Sequence, residues 1–278
     1  MNSKILIIVG MHRSGTSLIT QWLNRCGLFV GNNLVGPGIG NVQGHFEDED
    51  FLRLHQKFLK KRNLPESGFV YRRSIVLSEV EKIELQAMIA SKTRKHEEWG
   101  WKEPRTSLFL DGYAELVPGA FYIIAVRNFN TTINSLVTRQ FKMQQKKIQE
   151  KKGLTRLKWI LFKQRSLDKM FEKETNRYLK IWIHYYEKIL QHIQSIPNDR
   201  FVITNYTQLK NNDGDLFSKL KDDWKFSLDY SPFKNLYVHE LLSEVRDVKK
   251  YITNAALEKK ALAIEEKIRS CTALGVAI

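Results

Sequence analysis

The sequence predicts an α/β protein of three layers, α/β/α, with a central parallel sheet. Short apolar runs rich in β-branched residues alternate along the chain with longer segments of helical periodicity. The first apolar run leads directly into a glycine-containing polar loop and then into a helical pattern. Apolar residues make up 42% and charged residues 27% of the 278 residues, which is ordinary globular usage. The chain can therefore form a substantial core between strands and helices.

Three segments are predicted to be buried strands. They are residues 4–9 (KILIIV), residues 120–126 (AFYIIAV) and residues 200–205 (RFVITN). Each is short, continuously apolar at its centre and bounded by turn-forming residues, as strands of a covered sheet are. Because helical segments separate them, the strands are expected to run parallel.

Helices are predicted over 17–26, 48–60, 79–95, 131–142 and 175–195, and the C-terminal third is also expected to be helical. The aromatic residues of 175–195 share one face and, like Trp99 and Trp101, are expected in the core. Residues 31–44 contain five of the fifteen glycines and are predicted to be a mobile loop. The sequence shows no repeat, so we predict one domain over residues 1–278.

The sequence excludes several protein classes. No run approaches the roughly 18 apolar residues of a membrane helix, and the apolar run at 4–10 is too short for a signal sequence. Cys26 and Cys271 are too far apart in sequence to indicate a metal cluster or a disulfide framework. We therefore expect a soluble, cytoplasmic protein with no transmembrane segment and no metal.

The charge is strongly positive. Lys and Arg total 45 against 30 acidic residues, a net charge of +15, which predicts anionic partners. Residues 139–173 alone carry twelve basic and three acidic residues. This helical insertion, at about 139–175, could be a solvated surface or a basic lid over an anionic ligand. Its recurring apolar residues predict that it folds.

Residues 10–17 (GMHRSGTS) resemble a phosphate-binding loop between a strand and a helix. The glycines and the final hydroxyl match the nucleoside-triphosphate pattern G-x-x-x-x-G-K-[ST], but Thr16 stands where the lysine is expected. Arg13 can supply the missing positive charge, while Ser14, Thr16 and Ser17 add hydroxyl donors. The helix N-terminus also attracts anions. The sequence therefore favours an anion other than ATP.

A second cationic pair follows the second predicted strand. Arg127 lies at its carboxyl end and Ser135 lies eight residues later in the next helix. Ligands of open α/β sheets bind beyond the carboxyl ends of strands. The two residues could be a cap and a surface hydroxyl, but together with residues 10–17 they suggest a nucleotide with anionic groups at two positions.

These residues resemble the sulfotransferases that use 3′-phosphoadenosine 5′-phosphosulfate (PAPS). Residues 13–17 (RSGTS) resemble the family's 5′-phosphosulfate loop, and Arg127 with Ser135 resembles its R-x7-S site for the 3′-phosphate. Segments 44–47 (GHFE) and 101–105 (WKEPR) resemble bacterial members, and 206–209 (YTQL) is a loose match. The resemblance covers about residues 4–140, with weaker support to about 210. It implies the P-loop NTPase-like sulfotransferase fold.

Two features of the animal enzymes are missing from the sequence. The glycine- and lysine-rich C-terminal segment that closes over the nucleotide has no match, and neither does their histidine base. The contacts to the adenine and the closing element are therefore not predicted.

The resemblance implies that PAPS is the co-substrate, that the desulfated nucleotide (PAP) is the product and that no metal is needed. Arg13, Thr16 and the loop amides would hold the 5′-phosphate and sulfonate, and Arg127 with Ser135 the 3′-phosphate. Lys102 would support the sulfonate or the leaving oxygen. The complete predicted set for the nucleotide is His12, Arg13, Ser14, Gly15, Thr16, Ser17, Arg127, Ser135 and Tyr206, the last near the adenine.

The acceptor hydroxyl or amine needs a base, and we predict Glu47. Its alternative role is to start a helix, where an acidic residue is favourable. His45 and His12 are the other candidate bases, and His45 also belongs to the predicted substrate site. Arg105 could bind substrate or pair with a carboxylate.

Two other functions fit parts of the sequence. A small-molecule kinase would use a P-loop, but the lysine is missing. A non-catalytic nucleic-acid-binding protein would explain the charge, but no nucleic-acid motif is present and we expect no such partner. The acceptor could be a small molecule, a lipid or a saccharide, with specificity expected in 31–45, 60–75 and 139–173. A homo-oligomer is left open.

Overall fold

The computed structural model describes residues 3–39, 44–71, 75–150, 154–236 and 246–273. Four strands form one parallel sheet in the order β2-β1-β3-β4. The strands are β1 (Lys4–Val9), β2 (Glu98–Lys102), β3 (Phe121–Ala125) and β4 (Phe201–Thr204). The predicted α/β fold class with a central parallel sheet is confirmed.

The register aligns the carboxyl ends of three strands. Ile8 of β1 pairs with Lys102 of β2 on one side and with Ile123 of β3 on the other. The loop after β1, the end of β2 and the residues after β3 consequently meet at one edge of the sheet. This is the edge at which α/β proteins bind ligands.

Helices flank the sheet on both faces. They are α1 (Thr16–Arg25), α2 (Glu49–Lys61), α3 (Glu79–Thr93), α4 (Leu110–Leu116), α5 (Phe129–Gln149), α6 (Leu154–Ser195), α7 (Tyr206–Asn211), α8 (Gly214–Ser218) and α9 (Ala255–Ala273). A 3-10 helix spans Pro104–Leu108. None of the helices in the described part of the chain has the length and apolar composition needed to span a bilayer.

The alternation of side chains along β1 divides the core in two. Ile5, Ile7 and Val9 pack on the face covered by α2, α5, α6 and α9. Leu6 and Ile8 pack on the opposite face, against α1 and residues 202–236. Successive strand residues point to opposite faces, so a fully apolar strand indicates a sheet covered on both sides. The three layers follow from this pattern.

Strand β2 was not predicted. Its sequence, EWGWK, has charged ends and a central glycine, which are poor strand signals. Gly100 fits because a Cβ there would lie 2.2 Å from the carbonyl oxygen of Leu6. Trp99 and Trp101 are fully buried, as expected of core residues.

The basic insertion comprises the end of α5 and the first half of α6, with residues 151–153 outside the described residues. The two helices pack along each other, and Phe141 stacks on Trp159 with ring centroids 5.1 Å apart. Helix α6 has non-helical backbone angles at Phe162 and continues through the predicted 175–195 helix. Tyr178, Trp182 and Tyr185 on that half are buried, as predicted.

Candidate active site

The loop after β1 is compact and leads directly into α1. Arg13 and Gly15 adopt left-handed backbone conformations, with φ of 70° and 95°. The Ser14 hydroxyl donates to the Met11 carbonyl oxygen at 2.7 Å, which closes the turn. Helix α1 begins at Thr16, so its positive end faces this loop. The predicted anion-binding geometry, a tight loop ahead of a helix N-terminus, is present.

The loop and the residues after β3 are joined by their arginines. Arg13 Nε donates to Ser135 Oγ at 2.9 Å, and an Arg127 guanidinium N–H donates to the Arg13 carbonyl oxygen at 3.0 Å. Arg127 also donates from Nε to Thr131 Oγ1 at 3.0 Å. The Tyr206 ring lies 5.4 Å from the Arg127 guanidinium. The structure thus brings the two predicted cationic sites together.

A cavity of about 430 Å³ lies beside Arg127. Tyr206 and Trp182 contribute to its wall, while Glu265 and Arg269 of α9 line another part of it. Glu265 also accepts a hydrogen bond from the backbone N–H of Phe129 at 2.8 Å. The position of α9 beside this cavity could not be predicted from the sequence, because α9 carries no recognisable motif.

Lys102 and Glu47 form the second half of the site. Lys102 is fully buried, and its Nζ lies 3.1 Å from Glu47 Oε1 and 3.3 Å from Ser17 Oγ. It also donates to the His45 carbonyl oxygen at 2.5 Å. The backbone of Glu47 is hydrogen-bonded to the glycine-rich loop, because the Glu47 carbonyl oxygen accepts from the Val35 N–H at 2.8 Å. The predicted base and the predicted sulfonate-binding lysine are therefore direct neighbours.

Burial and the attraction between the two groups shift the pKa values of Glu47 and Lys102. Burial raises the pKa of Glu47, but the adjacent Lys102 ammonium outweighs it and holds the pKa below its ordinary value. Burial lowers the pKa of Lys102, and Glu47 opposes that shift. Glu47 is thus a carboxylate at neutral pH, which is the form that accepts a proton.

The two histidines near the loop are neutral at pH 7. Burial lowers the pKa of His12 to about 3 and also lowers the pKa of His45. The His12 ring contacts Phe69 and Tyr185 edge to face, with centroids 5.1 and 6.3 Å away. His45 Nδ1 lies 3.9 Å from Glu47 Oε1. His45 therefore lies beside the candidate base.

Arg105 is committed to a buried ion pair. Its guanidinium contacts the Glu103 carboxylate, and its Nε donates to the Glu66 carbonyl oxygen at 2.6 Å. Glu103 is fully buried and also lies 2.6 Å from His55 Nδ1. Of the two roles predicted for Arg105, the geometry favours pairing with a carboxylate.

The segments expected to carry acceptor specificity are only partly described. Residues 40–43 of the glycine-rich loop, 72–74 of segment 60–75 and 151–153 of the insertion lie outside the described residues. The described ends of the glycine-rich loop are hydrogen-bonded to each other, since the His45 N–H donates to the Val35 carbonyl oxygen at 2.9 Å. Within the described ranges, no three His, Cys, Asp or Glu side chains are grouped as metal ligands would be.

A strand-loop-helix turn of the kind that binds anions is thus joined to a second arginine at the end of the neighbouring strand β3. The model of the Sulfotransferase family matches residues 6–222. The chain belongs to this family. The match includes every residue predicted for the active site from the sequence.

Solved structures of bacterial sulfotransferases share the fold. A sulfotransferase from Mycobacterium avium superposes with a TM-score of 0.58 at 14% identity, over 96% of this chain and 77% of that one. The sulfotransferase domain of the Synechococcus PCC 7002 olefin synthase gives 0.52 at 17% identity, over 96% and 95%. A sulfotransferase from Alicyclobacillus acidocaldarius gives 0.52 at 12% identity, over 97% of each chain. No curated protein matches the chain in sequence.

Proposed function

We propose that this protein is a PAPS-dependent sulfotransferase that transfers the sulfuryl group to a hydroxyl or amine and releases PAP. One observation supports this proposal most directly. Arg127 donates a hydrogen bond to the Arg13 carbonyl oxygen, and the Arg13 side chain donates one to Ser135 Oγ. These contacts unite two cationic sites at the ends of neighbouring strands. A nucleotide with anions at both its 5′ and 3′ ends matches such a pair.

The residues present fit this nucleotide. Arg13, Thr16 and the start of α1 would hold the 5′-phosphate and sulfonate, with His12, Ser14, Gly15 and Ser17 shaping the loop. Arg127 and Ser135 would hold the 3′-phosphate. The cavity of about 430 Å³ next to Arg127 and Tyr206 would receive the nucleoside, with α9 as its outer wall. Charge-assisted hydrogen bonds of this kind contribute roughly 1.5–3 kcal/mol each.

We assign the two catalytic roles to Glu47 and Lys102. PAPS supplies an activated sulfuryl group when it is bound. Glu47, ionised and 3.1 Å from Lys102, would accept the proton of the acceptor hydroxyl or amine. Lys102 would donate hydrogen bonds to the sulfonate or to the leaving oxygen, where negative charge develops. His45 would lie beside the acceptor.

The acceptor belongs to one of three broad classes: a small molecule, a lipid or a saccharide. We propose that the chain acts as a single domain in the cytoplasm and needs neither a metal nor a nucleic-acid partner. The basic insertion at 139–173 would contribute to the acceptor side of the site.

Calorimetric titration with PAP tests this proposal. We expect PAP to bind tightly without a divalent metal and ATP with Mg²⁺ to bind weakly. Arg127→Ala should weaken PAP binding at least about 100-fold, because it removes a cation that meets phosphate. The matched control is Arg53→Ala, at an exposed arginine that forms an i,i+4 ion pair with Glu49. Stronger binding of ATP with Mg²⁺ than of PAP would instead favour a kinase.

A further inference from the structure

The first part of α6 carries three consecutive apolar side chains that are exposed. Ile160, Leu161 and Phe162 are 61%, 68% and 52% exposed. Consecutive residues of a helix point about 100° apart, so three that are exposed in a row lie where the helix is uncovered on more than one side. The backbone leaves helical geometry at Phe162, with φ of −108° and ψ of 16°. The run therefore lies at a break in α6, outside the packed core.

This apolar run belongs to a folded pair of helices. Trp159, directly before the run, is half-buried and stacks on the buried ring of Phe141 in α5, with centroids 5.1 Å apart. Met143 lies two residues further along α5, about 3 Å along its axis, and is 44% exposed. Exposed apolar side chains thus come from both helices at about the same level. A contiguous exposed apolar surface of this kind indicates an interaction site.

Exposed basic side chains border the apolar ones. Lys163 and Arg165 follow the run on α6. Three more exposed basic residues lie on α5, namely Lys142, Lys146 and Lys147. The insertion as a whole has twelve basic residues against three acidic ones. We call the exposed residues of 142–147 and 160–165 the insertion surface.

The composition of the insertion surface favours one kind of partner. A second copy of the chain would bring a like-charged surface against it, which is repulsive. A nucleic acid would pair its phosphates with the lysines and arginines but would leave Ile160 and Leu161 in water. An anionic bilayer takes both kinds of side chain, because apolar groups enter the boundary of the acyl chains while basic groups stay with the headgroups.

We propose that the insertion surface docks this protein on anionic lipid bilayers. Its four apolar side chains would lie between headgroups and acyl chains, and its lysines and arginine would contact the anionic headgroups. The candidate site would then lie close to the bilayer, because Phe141 follows Ser135 by six residues, about 9 Å along α5. Docking of this kind is peripheral, and it does not depend on which nucleotide the protein binds.

Co-sedimentation of the full chain with lipid vesicles tests the docking. The vesicles are phosphatidylcholine, either alone or with about 30% anionic phosphatidylglycerol. We expect the wild-type protein to bind the anionic vesicles at least about tenfold more tightly than the neutral ones. The double variant Ile160→Gln with Leu161→Gln should lose about tenfold of that affinity without any change of charge. Its matched control is Val80→Gln with Ile83→Gln, at exposed apolar residues of α3, which should bind as the wild type does.

The basic side chains are tested separately. Lys163→Gln with Arg165→Gln should weaken binding to the anionic vesicles about tenfold and leave binding to the neutral vesicles unchanged. The control with an equal change of charge is Lys259→Gln with Lys267→Gln, at exposed lysines of α9, for which we expect less than about a twofold change. The Tm of every variant should stay within about 2 °C of the wild type, because all the replaced side chains are exposed.

Several outcomes would overturn the docking. Equal binding of the wild-type protein to both kinds of vesicle is one, and absence of binding is another. A third is a loss of affinity in the Val80 and Ile83 control as large as in the Ile160 and Leu161 variant. Light scattering that shows a wild-type dimer and a monomeric Ile160 and Leu161 variant would assign the surface to a contact between copies. Because no nucleotide is present in these measurements, a failure to bind PAP would overturn only the proposed function.

Discussion

At the scale of single residues, the candidate site lacks the lysine of the nucleoside-triphosphate loop and has basic residues from several elements instead. Thr16 occupies the lysine position of the nucleoside-triphosphate loop. Positive charge comes instead from Arg13 in the loop, Lys102 at the end of β2 and Arg127 after β3. Lys102 Nζ lies 3.3 Å from Ser17 Oγ in the first turn of α1, and Arg127 donates to the Arg13 carbonyl oxygen at 3.0 Å, so the three cations meet at the loop before this helix.

The base is tested by Glu47→Gln. This change keeps the size of the side chain but removes the carboxylate that we propose as the proton acceptor, so we expect turnover to fall at least about 100-fold. PAP affinity should change less than about threefold. Activity is measured as the rate of PAP release in the presence of an acceptor that the wild-type enzyme sulfates. Affinity for PAP is measured by calorimetry. A variant that keeps most of its activity would show that Glu47 is not the base.

The Lys102–Glu47 pair predicts a shift in the pH profile. Lys102 holds the pKa of Glu47 below its ordinary value, so kcat/KM of the wild-type enzyme should fall only as pH drops below the ordinary range of glutamate. In Lys102→Met the burial of Glu47 is no longer opposed by the ammonium, and the pKa of the carboxyl should rise. The acidic limb of the profile should therefore move to higher pH, in addition to the loss of rate. If the acidic limb of the kcat/KM profile is at the same pH in Lys102→Met as in the wild type, a group other than Glu47 controls it.

The contact between Arg13 and Ser135 predicts a smaller effect. Ser135→Ala removes the acceptor of the Arg13 Nε hydrogen bond, which is 2.9 Å long, and the hydroxyl proposed to donate to the 3′-phosphate. We expect PAP affinity to fall about tenfold or somewhat more, since one hydrogen bond to a charged group contributes about 1.5–3 kcal/mol. Ser218→Ala, at an exposed serine, is the control. Calorimetric binding that is the same for both variants would argue against a phosphate contact at Ser135.

At the scale of elements, the start of α2 fixes the position of Glu47. Asp48 caps α2 and accepts from the Asp50 N–H at 2.9 Å. Lys92 of α3, itself buried, lies 2.8 Å from the Asp48 carboxylate and 2.9 Å from the Asp50 carboxylate. This ion pair ties α3 to the helix that follows the candidate base.

Lys92→Met should therefore affect both stability and catalysis. Removing one partner leaves the Asp48 carboxylate buried without its counter-charge, which costs about 3 kcal/mol of unfolding free energy. We also expect a lower kcat with PAP affinity unchanged, because Glu47 loses its support. Urea denaturation and steady-state kinetics measure the two effects, with Lys95→Met at an exposed position as control. A stability equal to that of the control would contradict a structural role for the pair.

At the scale of the whole molecule, the net charge of +15 should attract anionic ligands. We expect the association rate of PAP, measured by stopped flow, to fall about tenfold between about 20 mM and about 500 mM salt. The rate for uncharged adenosine should change little. Equal salt dependence for both ligands would mean that the charge does not steer the nucleotide.

The sequence alone determined the features that depend on neighbouring residues. Strands β1, β3 and β4 were predicted because continuous apolar runs suffice for a sheet covered on both faces. Helix α1 and the loop before it were predicted from a glycine pattern within eight residues. The residues of the candidate site were likewise named from short motifs, because each motif is local.

Only the tertiary structure decided how these segments meet. The Lys102–Glu47 contact joins residues 55 apart, and the contact of Arg13 with Ser135 joins residues 122 apart. Neither can be derived from spacing, because each depends on the strand order β2-β1-β3-β4. The same holds for α9, which lines the cavity although no motif in the sequence places it there. Local patterns specify elements, whereas a site at the edge of a sheet is specified by the packing that brings distant elements together.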